Sequence, residues 1–207
     1  MDYTQYKQLE FRRKVLKLVG AEITISDIAT ETQVGFIKMA AWKLKEDIRL
    51  FTDSSQTQEV FAIKARTVID FGATYDITDS ATATLICSLQ RKGLRSTFVR
   101  DYWNILDATG TKIGFIQETS GILALVRRWL SAFSDLFNLV FAFVTESYEI
   151  RLESAAGTGL VGTVLHRKNP FVVKMLLDTS ASDVKADPRL AIAATAMLAI
   201  MDANKNS

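Results

Sequence analysis

Few side chains in this chain can do covalent chemistry. Its 207 residues contain one histidine, His166, and one cysteine, Cys87. A single histidine excludes any site that needs two, and a single cysteine excludes both an intrachain disulfide framework and a multi-cysteine zinc site. The one nucleophile and base pair the composition allows is Cys87 with His166, the imidazole drawing off the thiol proton. Cys87 lies within a short alternating strand, where two related segments carry glycine, so a small packed residue is the expectation. Asp27, Asp79 and Asp107 recur at one place in three similar segments, just before a polar turn. That repetition predicts Asx-type hydrogen bonds to turn amides rather than acid–base work. No G-x-x-x-x-G-K-[ST], G-x-S-x-G or G-x-G-x-x-G string occurs, ATGTKIG (108–114) reads as a hairpin turn, and no D-x-[DN]-x-[DN]-G calcium loop is present. The reading predicts no catalytic residue, metal site or cofactor, and expects the chain not to be an enzyme.

The cationic groups are more numerous and are clustered: Arg12, Arg13, Lys14 and Lys17; Arg91, Lys92, Arg95 and Arg100; Arg127 and Arg128; His166, Arg167 and Lys168. With 25 basic against 23 acidic residues the net charge is only +2, so nucleic acid is not an expected partner and any basic site must be local. Two such clusters brought together would hold a phosphorylated headgroup through charge-assisted hydrogen bonds. The candidate lipid-headgroup residues are therefore Arg91, Lys92, Arg95, Arg127, Arg128, Arg167 and Lys168.

The elements that must position these residues are mostly strands. Four segments read as copies of one hairpin: 22–37, 74–89, 102–116 and 147–164. Each has an apolar or aromatic residue (Ile23, Tyr75, Trp103, Tyr148) and then isoleucine two positions later (Ile25, Ile77, Ile105, Ile150). Aspartate follows in three copies and Leu152 in the fourth; then come a polar turn and a second short strand. Further strand-like runs at 11–19, 43–51, 59–71, 96–103 and 170–178 bring the total to about ten to twelve. A sheet of that size curls, and closing it removes exposed edges and creates a lumen.

The run PRLAIAATAMLAIM (188–201) supplies the filling for such a lumen. Asp187 followed by Pro188 reads as N-cap and first helical residue. The apolar residues cover the whole circumference, so the helix is expected to be buried on all sides, and its alanines keep it thin. Twelve uncharged residues rise about 18 Å, short of the roughly 30 Å of a bilayer core. A second helix is predicted over about 121–140, amphipathic, with Trp129, Phe133 and Phe137 on one side and Arg127, Arg128 and Asp135 opposite. Three roles compete for it: a lid on the barrel, an interfacial membrane helix whose Trp129, Phe133 and Phe137 enter the lipid, or a homodimer contact. The expected fold class is mainly β, a closed antiparallel barrel of about ten to twelve strands around a buried C-terminal helix, as a single domain over 1–207. The first residues lack the apolar core of a secretory signal, so a cytoplasmic location, peripheral to the membrane, is the expectation.

Taken together, the four hairpins, RKGLRSTF (91–98), SYEI (147–150), HRKNPF (166–171) and the DPRLAIAATAMLA helix resemble the tubby C-terminal-like superfamily, in particular its phospholipid scramblase and LURP-one-related branch. The resemblance runs from about Phe11 to Ala203. It implies a twelve-stranded barrel around a hydrophobic C-terminal helix, and it implies association with an anionic phospholipid membrane surface. The competing expectation is an interaction or scaffold protein that binds itself or a partner through the helix at 121–140.

Overall fold

The structure, a computed structural model, describes residues 2–14, 21–39, 48–66, 73–92, 102–119, 146–167 and 172–205. Twelve strands form one closed antiparallel barrel: β1 (Gln8–Lys14), β2 (Ala21–Asp27), β3 (Gln33–Met39), β4 (Ile48–Phe51), β5 (Glu59–Ala65), β6 (Thr74–Asp79), β7 (Leu85–Arg91), β8 (Tyr102–Leu106), β9 (Lys112–Glu118), β10 (Ser147–Ser154), β11 (Gly157–Arg167) and β12 (Val172–Asp178). Each strand pairs with its neighbours in sequence, and β12 closes on β1. One helix, α1 (Pro188–Lys205), follows. The helix predicted over 121–140, with Arg127, Arg128, Trp129, Phe133 and Phe137, lies outside the described residues, as do Arg95 and Lys168.

The walls are built from one repeated device. In β2–β3, β4–β5, β6–β7, β8–β9 and β10–β11 the register slips by a residue directly after a fully buried aliphatic residue: Ile25, Leu50, Ile77, Ile105 and Ile150. Such a bulge sharpens the local twist, which a sheet needs in order to close. Four of these units match the hairpins read from the sequence. The fifth, β4–β5, escapes that reading because its aspartate, Asp53, sits one residue later than in the others. The sixth is split between the ends of the described chain: β12 and β1 pair in the same antiparallel sense, with Gln8 opposite Asp178.

The turns are held by the aspartates. Asp27 accepts from the Thr30 amide at 3.0 Å, Asp79 from the Ala81 and Thr82 amides at 2.8 Å each, and Asp107 from Thr109 and Thr111 at 2.8 and 2.9 Å. Asp53 and Asp178 do the same for Ser55 and Ser180. At four of these turns two hydroxyls then close the loop: Thr30–Thr32, Ser55–Thr57, Thr82–Thr84 and Thr109–Thr111. Between them the chain must take a positive φ: Gly110 does so at 83°, but Glu31 (55°), Gln56 (59°) and Ala83 (54°) do so with a side chain. A non-glycine residue there costs about 1–2 kcal/mol. The aspartate and hydroxyl bonds offset that strain, which is why these turns need no glycine.

Inside the wall, alternate residues point at α1. Phe11, Ile23, Ile37, Leu50, Phe61, Ile63, Ile77, Leu89, Ile105, Ile116 and Ile150 are fully buried, and from Leu190 to Ile200 no helix residue is more than 5 % exposed. The helix touches β12, β1 and β11 on one side and β7 on the opposite wall, so it runs through the lumen. Twelve strands about 4.8 Å apart, tilted about 40°, make a cylinder of roughly 12 Å backbone radius. Subtracting the inward side chains leaves space for a helix about 10 Å across, which the alanines at 191, 193, 194, 196 and 199 supply. The one polar residue in this stretch, Thr195, donates its hydroxyl to the Ala191 carbonyl at 2.8 Å. Asp187 caps the helix, accepting from the Arg189 amide at 2.9 Å. Arg189 clasps Asp187 and also Asp79, which fastens the helix start to the β6–β7 turn.

Candidate functional site

The five hairpin turns all lie at one end of the barrel, where α1 enters. The chain passes from hairpin to hairpin at the other end, called here the linker end. Among the described residues the two ends differ in charge. At the turn end stand Asp2, Asp27, Glu31, Asp53, Glu59, Asp79, Asp107, Glu153, Asp178, Asp183 and Asp187, against Lys7, Lys112, Lys185 and Arg189. At the linker end stand Arg12, Arg13, Lys14, Lys64, Arg66, Arg91, Lys92, Arg167 and Lys174, against Glu22, Asp76, Glu118 and Glu146; Lys38 reaches back to the β4–β5 turn, donating to Gln56 at 2.9 Å.

Some of this polarity has a structural origin. The aspartates are at the turn end because the turns need them. Two inward cations suit the helix axis, since α1 brings its positive dipole end to the turn end and its negative end toward Arg13 and Arg91. Arg13 pairs in register with Val173 and Ile23, both buried in the core, and Arg91 pairs with Trp103, over whose ring its guanidinium lies at 5.9 Å. Among the outward cations, Arg66 pairs with Asp76 at 2.7 Å and Lys174 donates to Glu10 at 3.4 Å, whereas Arg12 has no described carboxylate partner.

Strand alternation divides the predicted headgroup residues. Arg91 faces the lumen, whereas Lys92 is exposed outside, its ammonium 5.4 Å from the Tyr102 ring. Tyr102 stacks on Phe115 at 5.5 Å, and Lys112 caps both rings. Arg167 ends β11, with β8, β9 and β10 between it and Arg91, so these two occupy the same end of the barrel but not the same spot.

The ladder does assemble a row that charge clustering along the sequence does not reveal. Lys174 of β12 stands directly opposite Arg12 of β1 on one side and Arg167 of β11 on the other. Arg12 is exposed, and Thr24 of β2 is its other cross-strand neighbour. Lys174 lies between buried Val173 and Met175, which turns it outward, and it donates to Glu10 at 3.4 Å. The sequence reading groups Arg12 with Arg13, yet they face opposite sides of the wall. Counting alternate positions from Phe11 separates them, but only the register brings Lys174 to Arg12.

The chemically reactive groups are placed apart. His166 is 4 % exposed and faces inward opposite Met175; its Nδ1 lies 3.9 Å from Glu146 Oε2, which also accepts from the Tyr148 phenol at 3.2 Å. Cys87 sits on β7 across the filled lumen, where burial pushes its thiol up to about 12, with Asp187 and Asp76 adding to the effect. A thiol so shifted is a poor nucleophile. Cys87 stands opposite the bulge residue Ile77, the place that Gly35, Gly114 and Gly162 take opposite Ile25, Ile105 and Ile150, so it fills a small slot as predicted. Among the described residues no group of three or more His, Cys, Asp or Glu is placed to hold a metal ion, and no helix is long and apolar enough to cross a membrane. The alternation is apolar inside and charged outside, the reverse of a barrel that spans a bilayer by its strands. Comparison with known protein families, curated proteins and solved structures finds no match to this chain.

Proposed function

We propose that this protein is a non-catalytic module that associates with anionic phospholipid membrane surfaces, its linker end toward the membrane. The observation that carries this reading is the charge polarity along the barrel axis. Among the described residues, outward cations such as Arg12, Lys64, Lys92 and Lys174 gather at one end, and the capping aspartates gather at the other. A negatively charged surface attracts the first end and repels the second, which orients the molecule as well as binding it. The lumen is filled by the chain's own helix, which favours recognition on the outer wall over carriage of a ligand inside. Kinship with the tubby C-terminal-like superfamily, and a cytoplasmic, membrane-peripheral location, belong to the same proposal. They are supported by the agreement between the architecture and the one that resemblance implies.

Flotation with phosphatidylcholine vesicles, with and without phosphatidylserine, tests the reading. The expected result is recovery with the anionic vesicles at low salt and release at high salt, where the screening length falls to a few ångströms, about 3 Å at 1 M. Equal recovery with neutral vesicles, or no recovery with anionic ones at low salt, would remove the basis for it.

A further inference from the structure

We infer that Arg12 and Lys174, with Thr24 beside them, form a phosphate seat on the outer wall at the β12–β1–β2 ladder. The inference rests on the membrane reading above and goes further, because it names both the residues and the group they take.

Like charges directly opposite each other across two strands destabilise a sheet. Here the register sets Lys174 directly opposite Arg12. Among the described residues Glu10 alone answers Lys174, at 3.4 Å, and no carboxylate pairs with Arg12. Directly opposed residues stand about 5 Å apart, so the guanidinium of Arg12 and the ammonium of Lys174 can each reach a different oxygen of one tetrahedral anion. The Thr24 position continues the row on the far side of Arg12 with a neutral hydroxyl donor. Arginine supplies a planar fork and lysine a point charge, the combination suited to phosphate. Glu10 sets the selectivity: a monoanion competes poorly with the carboxylate already beside Lys174, while a phosphomonoester dianion outcompetes it. The ligand class is therefore a phosphomonoester, found on a lipid headgroup such as phosphatidic acid or as free phosphate.

Vesicles carrying phosphatidic acid, and vesicles carrying phosphatidylserine at matched total charge, are the probes. The parent is expected to bind the first more tightly. The variant R12Q/K174Q should lose about fivefold per cation, or about thirtyfold on phosphatidic acid. A control, K7Q/K185Q, removes the same charge from exposed positions at the turn end and should stay within about twofold of the parent. Glu10→Gln should bind phosphatidylserine more tightly and so narrow the preference. Release of bound protein by inorganic phosphate at constant ionic strength assigns the seat to the phosphate group itself; retention, with the R12Q/K174Q loss intact, assigns it to a headgroup held in a surface. Equal losses in R12Q/K174Q and K7Q/K185Q, or no preference for phosphatidic acid, would overturn the seat while leaving membrane association standing. Failure of the parent to bind either vesicle would overturn both.

Discussion

Replacing Ala194 with aspartate tests whether α1 occupies the lumen. Ala194 is fully buried, and so are Ala193, Thr195 and Ala196 around it. A carboxylate at this point loses its hydration with no cation on the adjoining helix turn, at a cost of several kcal/mol. Its added volume in a packed lumen costs about 1–3 kcal/mol more, and the poorer helix propensity a few tenths. The total, upward of about 5 kcal/mol, is comparable with the whole stability of a domain, about 5–15 kcal/mol. If that face of α1 met solvent, the same change would cost under about 1 kcal/mol. The assay is soluble yield, circular dichroism and a urea titration followed by tryptophan fluorescence. Ala194→Ser is the companion variant, because a serine hydroxyl can donate to the carbonyl four residues back as Thr195 does to Ala191. That variant should fold with its stability lowered by about 1–2 kcal/mol. A soluble Ala194→Asp protein that unfolds cooperatively within about 1 kcal/mol of the parent would refute the lumen assignment.

Two further outcomes follow from the wall and its turns. Gly114→Ala should destabilise the β9–β10 pair by about 1–3 kcal/mol in urea unfolding, because a Cβ there would fall 2.3 Å from the Arg151 carbonyl oxygen, a backbone atom that cannot swing aside; an unchanged midpoint would disprove that close approach. Acid should also weaken the fold by a route that can be assigned. The Thr82 amide and then Arg189 hold the Asp79 carboxyl at about 2 against an ordinary 3.8, and Asp107 is lowered by the Thr109 hydroxyl and the Thr111 amide. A carboxyl lowered in the folded state contributes stability above its unfolded value and loses it as pH falls toward the folded one. The urea midpoint should therefore fall between about pH 4 and pH 2, and Asp79→Asn should flatten that slope while lowering the plateau above it; an unchanged slope in Asp79→Asn would exclude the β6–β7 clasp as its source.

Much of the architecture is legible because the local rules are strong and repeat. Period-two alternation names the inward residues, Asp27, Asp79 and Asp107 mark three turns, and the fully apolar circumference of 190–200 shows that this helix needs a wall on every side. The β4–β5 unit is less legible. Its four-residue first strand and its aspartate, displaced to Asp53, break the spacing by which the other units recognise one another. The positive φ at Glu31, Gln56 and Ala83 is also hidden, since nothing in those residue types announces it; the flanking aspartate and threonines make it affordable.

The candidate site was legible only in part, for a physical reason. Charge clustering along a chain groups neighbours in sequence, but on a strand neighbours face opposite sides, so Arg12 parts from Arg13 and Arg91 from Lys92. What the sequence by itself determined is what short-range chemistry controls: which residues alternate, where turns close, where α1 starts, and that α1 must be enclosed. What only the tertiary structure decided is which distant residues become neighbours. The closure of β12 on β1 carries Lys174 across more than 160 positions to lie beside Arg12, and pairing register, a property of two strands together, is written in neither strand alone.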